Sequence, residues 1–245
     1  MRELLPSARE ELTAGALVAR LGLGEGGRPG LPRVVAIMIA SVDGRATVDG
    51  SSSKLGHPED RALLRGLRAE ADCLLAGTQT LAAEGYARLL DDDQRAARIA
   101  AGRSAHPLVA TVSRSGEIPW HVPVFCEPGV DKQVYVGAPV TVPADVTATA
   151  VQEQTSELRA ALEHLHADRG VRSVACEGGP GLLGALLADD LVDDLLLTVA
   201  PLLTAGGAPT VTTGPGLDPP VRMGLRGAGR AGDHLFLHYG RRPIL

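Results

Sequence analysis

Arg33-Val-Val-Ala-Ile-Met-Ile-Ala40 is the stretch from which the fold is read. After its first residue it is apolar without interruption and shows no period-two alternation. That is the pattern of a strand buried on both faces, as in a parallel sheet covered by helices. Downstream, strand and helix patterns alternate. Pro58–Glu70 carries Ala62, Leu63 and Leu67 at helical spacing, and Cys73–Ala76 and Leu108–Val112 read as further buried strands. Val122–Phe125 and Gln133–Val136 read as short strands. Ser156–Arg169 reads as an amphipathic helix begun by Thr155 or Ser156. Arg172–Cys176, Gly181–Ala188 and Asp194–Ala200 then read as strand, helix and strand. Val221–Gly229 and Asp233–Gly240, parted by a glycine-containing turn, read as an antiparallel hairpin. The expectation is one α/β domain over residues 33–245, a mixed, mostly parallel sheet with helices on both faces and an antiparallel C-terminal hairpin.

Upstream lies an expected extension over residues 1–32. Ser7-Ala-Arg-Glu10 fits a capping box, and Leu12, Leu17 and Leu21 follow as a helix. Gly22-Leu-Gly-Glu-Gly-Gly-Arg-Pro-Gly30 is a flexible joint that contains a literal GxGxxG. It follows a helix and precedes a strand, the reverse of a dinucleotide fingerprint, so no cofactor is assigned to it.

Composition narrows the function classes. Apolar residues are 44% and charged residues 22%, enough for a sizeable core, but aromatics are 2%, so that core is Leu, Val and Ala. The net charge is −5 without a basic run, which argues against a nucleic-acid surface. No apolar run is long enough for a membrane span, and Met1 to Leu21 lacks the apolar stretch of a secretory signal, so a cytoplasmic location is expected. Cys73, Cys126 and Cys176 show no CxxC spacing. Cys73 and Cys176 lie in strand-like runs, as buried reduced thiols would. The histidines have no metal-ligand spacing; His164 and His166, two apart on a helix, point to different faces.

Three segments place glycine, hydroxyl and charge at the C-terminal ends of expected strands, where open α/β sheets hold ligands. Ala40-Ser-Val-Asp-Gly-Arg45 ends the first strand with Ser41 and Asp43, either a plain Asp-Gly turn or polar groups at the sheet edge. A hydroxyl-rich loop follows through Ser52 and Lys54. Leu74-Leu-Ala-Gly-Thr-Gln-Thr80 offers Gly77, Thr78 and Thr80 at a helix start, a phosphate or ribose site or equally a threonine cap. Val174-Ala-Cys-Glu-Gly-Gly-Pro-Gly-Leu-Leu-Gly-Ala-Leu187 is a strand, then Glu177 as a charge without a local cap, then a glycine-rich turn and a helix. Backbone donors and the helix dipole make that turn an anion site, and its small residues admit a pyrophosphate. A structural role for Glu177 remains the alternative.

Ser41-Val-Asp-Gly44, Pro58-Glu-Asp-Arg61, Leu67-Arg-Ala69, Leu75-Ala-Gly-Thr-Gln-Thr80, Glu177-Gly-Gly-Pro180, Leu191-Val-Asp-Asp-Leu195, Ala200-Pro201 and Gly206-Gly207 resemble, in order, the reductase domain of riboflavin biosynthesis. The resemblance spans about residues 33–240. It implies a dihydrofolate-reductase-like fold, NADPH as cofactor, a small heterocyclic substrate and a homodimer. It further implies cofactor contacts at Lys54, Thr80, Glu84, Ser113 and the turn Gly179–Ala185, which includes Gly179, Pro180, Gly181, Leu182 and Leu183; Gly77, Thr78 and Gly178 join them from the strand-turn-helix reading above. Substrate contacts are implied at Ser52, Arg68 and Glu177, and Asp43 at the active-site cleft; Asp43 and Glu177 are the candidate catalytic carboxylates. Arg114, beside Ser113, is our candidate for the cofactor's 2′-phosphate, since a guanidinium matches phosphate in bidentate fashion.

The implied reaction reduces a ribosylamino-pyrimidine to its ribitylamino form. The zinc-ligand pattern of the deaminase domain that often precedes this reductase is missing, so no deaminase activity is expected. Lys54 stands where many members have tryptophan. Glu84-Gly-Tyr-Ala-Arg-Leu-Leu-Asp91 replaces an Asp-Asp-Pro run whose downstream arginine helps bind the substrate phosphate, and Arg88 is the candidate substitute. The altered segment gives a second reading, reduction of a dihydrofolate or dihydropterin. A third, from outside enzymes, is a non-catalytic NADPH-binding regulator.

Overall fold

The computed structural model describes residues 13–146, 149–153 and 156–242. β1 (Arg33–Ser41) lies between β6 (Ser173–Cys176) and β7 (Asp194–Ala200), parallel to both. β2 (Cys73–Leu75), β3 (Leu108–Ser113), β4 (Lys132–Val136) and β5 (Thr149–Glu153) extend the sheet, again in parallel, on the β6 side. β9 (His234–Arg241) pairs antiparallel with β7, and β8 (Met223–Ala231) with β9. Among the described residues this is a nine-stranded sheet in the order β5-β4-β3-β2-β6-β1-β7-β9-β8. It is the expected mixed sheet with an antiparallel edge.

Helices on both faces explain why β1 does not alternate. Val34, Ala36 and Met38 pack with α5 (Leu158–Arg169) and α6 (Pro180–Ala188). Val35 and Ile37, on the other face, pack with α1 (Ala14–Arg20) and α2 (Pro58–Glu70). α2 begins where Pro58 presets φ at the first helical position and the His57 ring accepts the Glu59 N–H at 3.2 Å. Leu63 and Leu67 form its core face. Beside α2 on this face, α3 (Thr78–Glu84) and the segment leading to α4 (Asp92–Ala100) enclose Leu74, Leu81, Tyr86, Val109 and Val134. Buried Arg98 of α4 donates to the carbonyls of Ala69 and Ala71, both at 2.8 Å, and so ties α4 to the end of α2.

Several expectations are corrected. Residues 123–125 form a 3-10 turn rather than a strand: Pro123 has no N–H to give a ladder, and Phe125 N–H bonds Val122 O instead. α1 starts at Thr13, whose hydroxyl accepts Ala16 N–H at 3.1 Å; the capping box read at residues 7–10 lies outside the described residues. α5 starts two residues after Ser156, with Glu157 at its N-cap, and Thr155 lies outside the described residues. Two elements were missed. α4 carries a readable capping box, Asp91 with Gln94, while β5 is a polar edge strand without a hydrophobic signature. Cys73 and Cys176 are buried free thiols, as expected, and burial raises both, that of Cys176 to about 12.

Candidate active site

Because β2 and β6 are adjacent and parallel, the helices that follow them begin side by side at the C-terminal edge of the sheet. Neither N-cap, Gly77 for α3 or Gly179 for α6, supplies a side-chain cap. The first intrahelical bonds are Leu81 N–H to Gly77 O and Leu183 N–H to Gly179 O. The N–H groups of Gln79, Thr80, Gly181 and Leu182 therefore have no intrahelical acceptor and face this edge.

The two starts are locked together through glycine. Gly77 N–H donates to Gly178 O at 2.7 Å. A Cβ on Gly179 would meet Thr80 Oγ1 at 2.6 Å. One on Gly178, where φ is +78°, would meet Met38 Sδ at 2.7 Å. The peptide joining Gly178 and Gly179 is cis. Closely packed donors with no side chain between them are what a pyrophosphate-bearing cofactor requires, so these residues fit the implied group.

Beyond α3 opens a groove of about 620 Å³, walled by Thr78, Gln79 and Ala82 and by the loops after β3 and β4, among them Glu117, Trp120 and Val140. Sequence reasoning missed these loop residues, which carry no motif. Ser113, buried at the end of β3, lies near the start of that loop, its hydroxyl donating to Glu117 O at 3.2 Å, and Arg114 beside it is exposed.

On the α2 face, Glu177 is not an uncapped charge. Its two oxygens accept from Arg68 Nε and Nη2, both at 2.6 Å, and Oε2 also accepts the Tyr86 hydroxyl. The Arg68 guanidinium lies over the Tyr86 ring at 5.0 Å. All three are largely buried, Glu177 being 8% exposed. Burial, then the neighbouring carboxylate, pushes the Tyr86 phenol well above its ordinary value. Burial alone would lower Arg68, but Glu177 holds it protonated. Of these three, sequence reasoning named Arg68 and Glu177 without linking them, and missed Tyr86.

The other nominated residues are placed as follows. Asp43 accepts from Ser41 Oγ (2.5 Å), Thr204 N–H (3.1 Å) and Ala205 N–H (2.7 Å), so it staples the turn after β1 to the loop after β7. The Ser41 hydroxyl, then the loop amides, hold it at about 2; it is an anion at neutral pH and has no proton to give. Ser52 donates from N–H and hydroxyl to Glu84 Oε1, at 3.0 and 2.9 Å, latching the hydroxyl-rich loop onto the end of α3. Lys54 is largely exposed and pairs with Asp49. Arg88 is engaged by Leu90 O (3.1 Å) and Asp92 (2.6 Å) at the start of α4, not with Arg68 and Glu177. Among the described residues no His, Cys, Asp or Glu cluster suits a metal ion, and no helix is long and apolar enough to cross a membrane.

Comparison with known proteins follows the same lines. Residues 32–237 match the family described as the RibD C-terminal domain. A 2,5-diamino-6-ribosylamino-4(3H)-pyrimidinone 5′-phosphate reductase from Methanothermobacter thermautotrophicus is 25% identical over 222 residues, 85% of this chain and 97% of that protein. Riboflavin biosynthesis protein RibD from Mycobacterium tuberculosis is 31% identical over 182 residues, 73% of this chain but 45% of that longer protein. Among solved structures, a pyrimidine reductase-like protein from Corynebacterium diphtheriae superposes with a TM-score of 0.78 at 24% identity, covering 94% of this chain and 98% of its own; at that identity it speaks for the fold alone.

Proposed function

The chain belongs to the RibD C-terminal domain family, and on that premise we propose that it is an NADPH-dependent reductase of 5-amino-6-(5-phosphoribosylamino)uracil in riboflavin biosynthesis. The observation that carries this reading is the pair of uncapped, glycine-locked helix starts beside a buried Arg68–Glu177 pair: a cradle for a pyrophosphate next to a polar group that can read a ring. The Methanothermobacter relative, matched over nearly its full length, is named for a reductase of this substrate class.

When bound, NADPH supplies the hydride received by the sugar carbon of the open-chain imine. The chain's own groups do the rest. The amides of Gln79, Thr80, Gly181 and Leu182, with Gly77, Thr78, Gly178, Gly179, Pro180 and Leu183 shaping the backbone, would hold the diphosphate. Ser113 and Arg114 would meet the cofactor's ribose and 2′-phosphate, and the groove beyond α3 would take the adenosine. Ser52, Arg68 and Glu177 hold the acceptor, while the loop carrying Lys54, latched by Glu84, covers it from water. Asp43 keeps the exit of β1 fixed to the loop after β7 and stays ionised, so the proton for the nitrogen comes from another group or from water. Arg88 reaches the substrate phosphate only by leaving Asp92, a surface pairing of low cost. The reading includes a cytoplasmic homodimer, which sedimentation at working concentration tests.

The deciding experiment follows NADPH absorbance with the purified chain, offering the phosphoribosylamino-pyrimidine and dihydrofolate in parallel, and repeats the productive case with NADH. Turnover of the pyrimidine with preference for NADPH supports the proposal. Preference for dihydrofolate redirects the substrate, and tight NADPH binding without turnover leaves a binding protein.

A further inference from the structure

The segment that departs from the family pattern is the one that reaches into the site. α3 ends at Gly85, whose left-handed φ of +58° turns the chain inward and delivers Tyr86 to Glu177, a residue 91 positions away. The backbone there is fixed as well: Tyr86 O accepts Val124 N–H at 2.9 Å from the 3-10 turn, and Tyr86 belongs to the buried cluster that includes Leu81, Leu89 and Phe125.

The result constrains what Arg68 can recognise. A guanidinium binds a phosphate best with its two-pronged edge. Here the side-on edge, Nε and Nη2, is on Glu177 and the flat face is on Tyr86, so only the end-on Nη1 side is left, and the charge a phosphate would seek is already met by the carboxylate. Of the roughly four lone-pair sites on the carboxylate, three are engaged. The assembly is electrically neutral. What it still offers is a carboxylate lone pair beside spare guanidinium N–H groups, an acceptor next to donors. That matches a neutral heterocyclic edge with adjoining N–H and C=O groups, not a dianion.

Resting on the reading of the site as a pyrimidine reductase, we propose that Tyr86 is a specificity-determining residue: it fixes Arg68 on Glu177, so that the pair reads the ring of the acceptor and contributes nothing to binding its phosphate. Arg68 and Glu177 contact the ring, and Tyr86 positions them.

The test uses the full chain, the side-chain Nε–H of Arg68 in a proton–nitrogen NMR spectrum (assigned by its loss in Arg68→Lys), and two probes, 5,6-diaminouracil and ribose 5-phosphate. Diaminouracil is expected to shift the Arg68 signal saturably, and ribose 5-phosphate to leave it in place. Tyr86→Phe keeps the ring and removes the hydroxyl; it is expected to weaken diaminouracil about tenfold by calorimetry, with NADPH affinity within about twofold. Arg68→Lys, which keeps the charge but not the fork, is the second variant and should lose at least as much. The proposal is overturned if ribose 5-phosphate moves the signal or if diaminouracil does not. It is equally overturned if Tyr86→Phe leaves diaminouracil affinity intact, or lowers NADPH affinity in parallel as a merely structural residue would. Wild-type chain that binds diaminouracil at Arg68 yet reduces no phosphoribosylamino-pyrimidine sinks the proposed function and spares this one.

Discussion

Two glycine-rich turns, residues 22–30 and 177–181, are alike in composition and lie at opposite edges of the same sheet. The first leads into the start of β1, at the N-terminal edge of the parallel strands; the second leaves the end of β6, at the C-terminal edge. Strand direction makes the difference. At the C-terminal edge, helices begin and present N–H groups, so glycine there opens space for an anion. At the N-terminal edge the parallel strands begin, and there Gly27 serves close packing against the backbone of Pro32 and Arg33. Around the first turn the bonds are internal ones. Arg28 pairs with Asp190 (3.4 Å) and Asp193 (3.2 Å), Arg33 with Asp194 (2.8 Å), and His238 with Asp194 (2.8 Å). On the proposed reading one edge holds a ligand, while the other holds itself.

Substitutions should separate the two edges. The largest effect is expected from Gly27→Ala, whose Cβ would stand 2.4 Å from Arg33 N and Pro32 C, backbone atoms with no room to move. A loss of about 3 kcal/mol in urea unfolding is expected, with NADPH affinity of the folded chain unchanged. Next, Asp194→Asn leaves Arg33 and His238 without their shared anion. The site is partly exposed, so about 2 kcal/mol is expected, again with cofactor binding intact. Burial would raise the Asp194 carboxyl, but His238 and Arg33 together lower it. Its contribution is therefore present above the ordinary carboxylate range and fades as pH falls through its lowered value, so wild type and variant should converge in acid.

Gly179→Ala inverts the pattern. Its Cβ meets a side-chain oxygen, Thr80 Oγ1, so the fold should adjust while NADPH dissociation rises about tenfold, or about 1.4 kcal/mol. An equal loss of stability and affinity would break the distinction between the edges. The smallest effect belongs to Asp43→Asn at the ligand edge. Because the Asp43 carboxyl is held at about 2, its excess stability over the variant should be full above pH of about 4 and vanish between there and pH of about 2. Acid titration of the two melting midpoints measures this.

What the sequence disclosed follows from range. The β1 run, the apolar periodicity of α2 and the strand-turn-helix at residues 174–187 are local patterns with local causes, and each is found in place. Residues 122–125 misled because three buried β-branched or aromatic side chains, Val122, Val124 and Phe125, suit a strand, while Pro123 decides against the ladder. The meeting of Arg68, Tyr86 and Glu177 had no local sign: Arg68 lies on α2, Tyr86 just past α3 and Glu177 just past β6, and the pairing of β2 with β6 brings these segments together. Asp43 drew notice as a carboxylate at a strand end, and the sequence held no hint that Thr204 and Ala205 would claim it.

The strand order also bears on how the chain is made. β2 to β5 each pair with the strand next to them in sequence, whereas β1 pairs only with β6 and β7, which begin at Ser173 and Asp194. During synthesis the most apolar strand thus emerges early and waits, without either neighbour, until most of the chain has been added. Such late, long-range closure slows folding and leaves the segment open to aggregation or chaperone capture. Pulse-labelled hydrogen exchange should accordingly find the amides of β3 and β4 protected before those of β1, so that the strand at the heart of the finished sheet is enclosed after the ones at its rim.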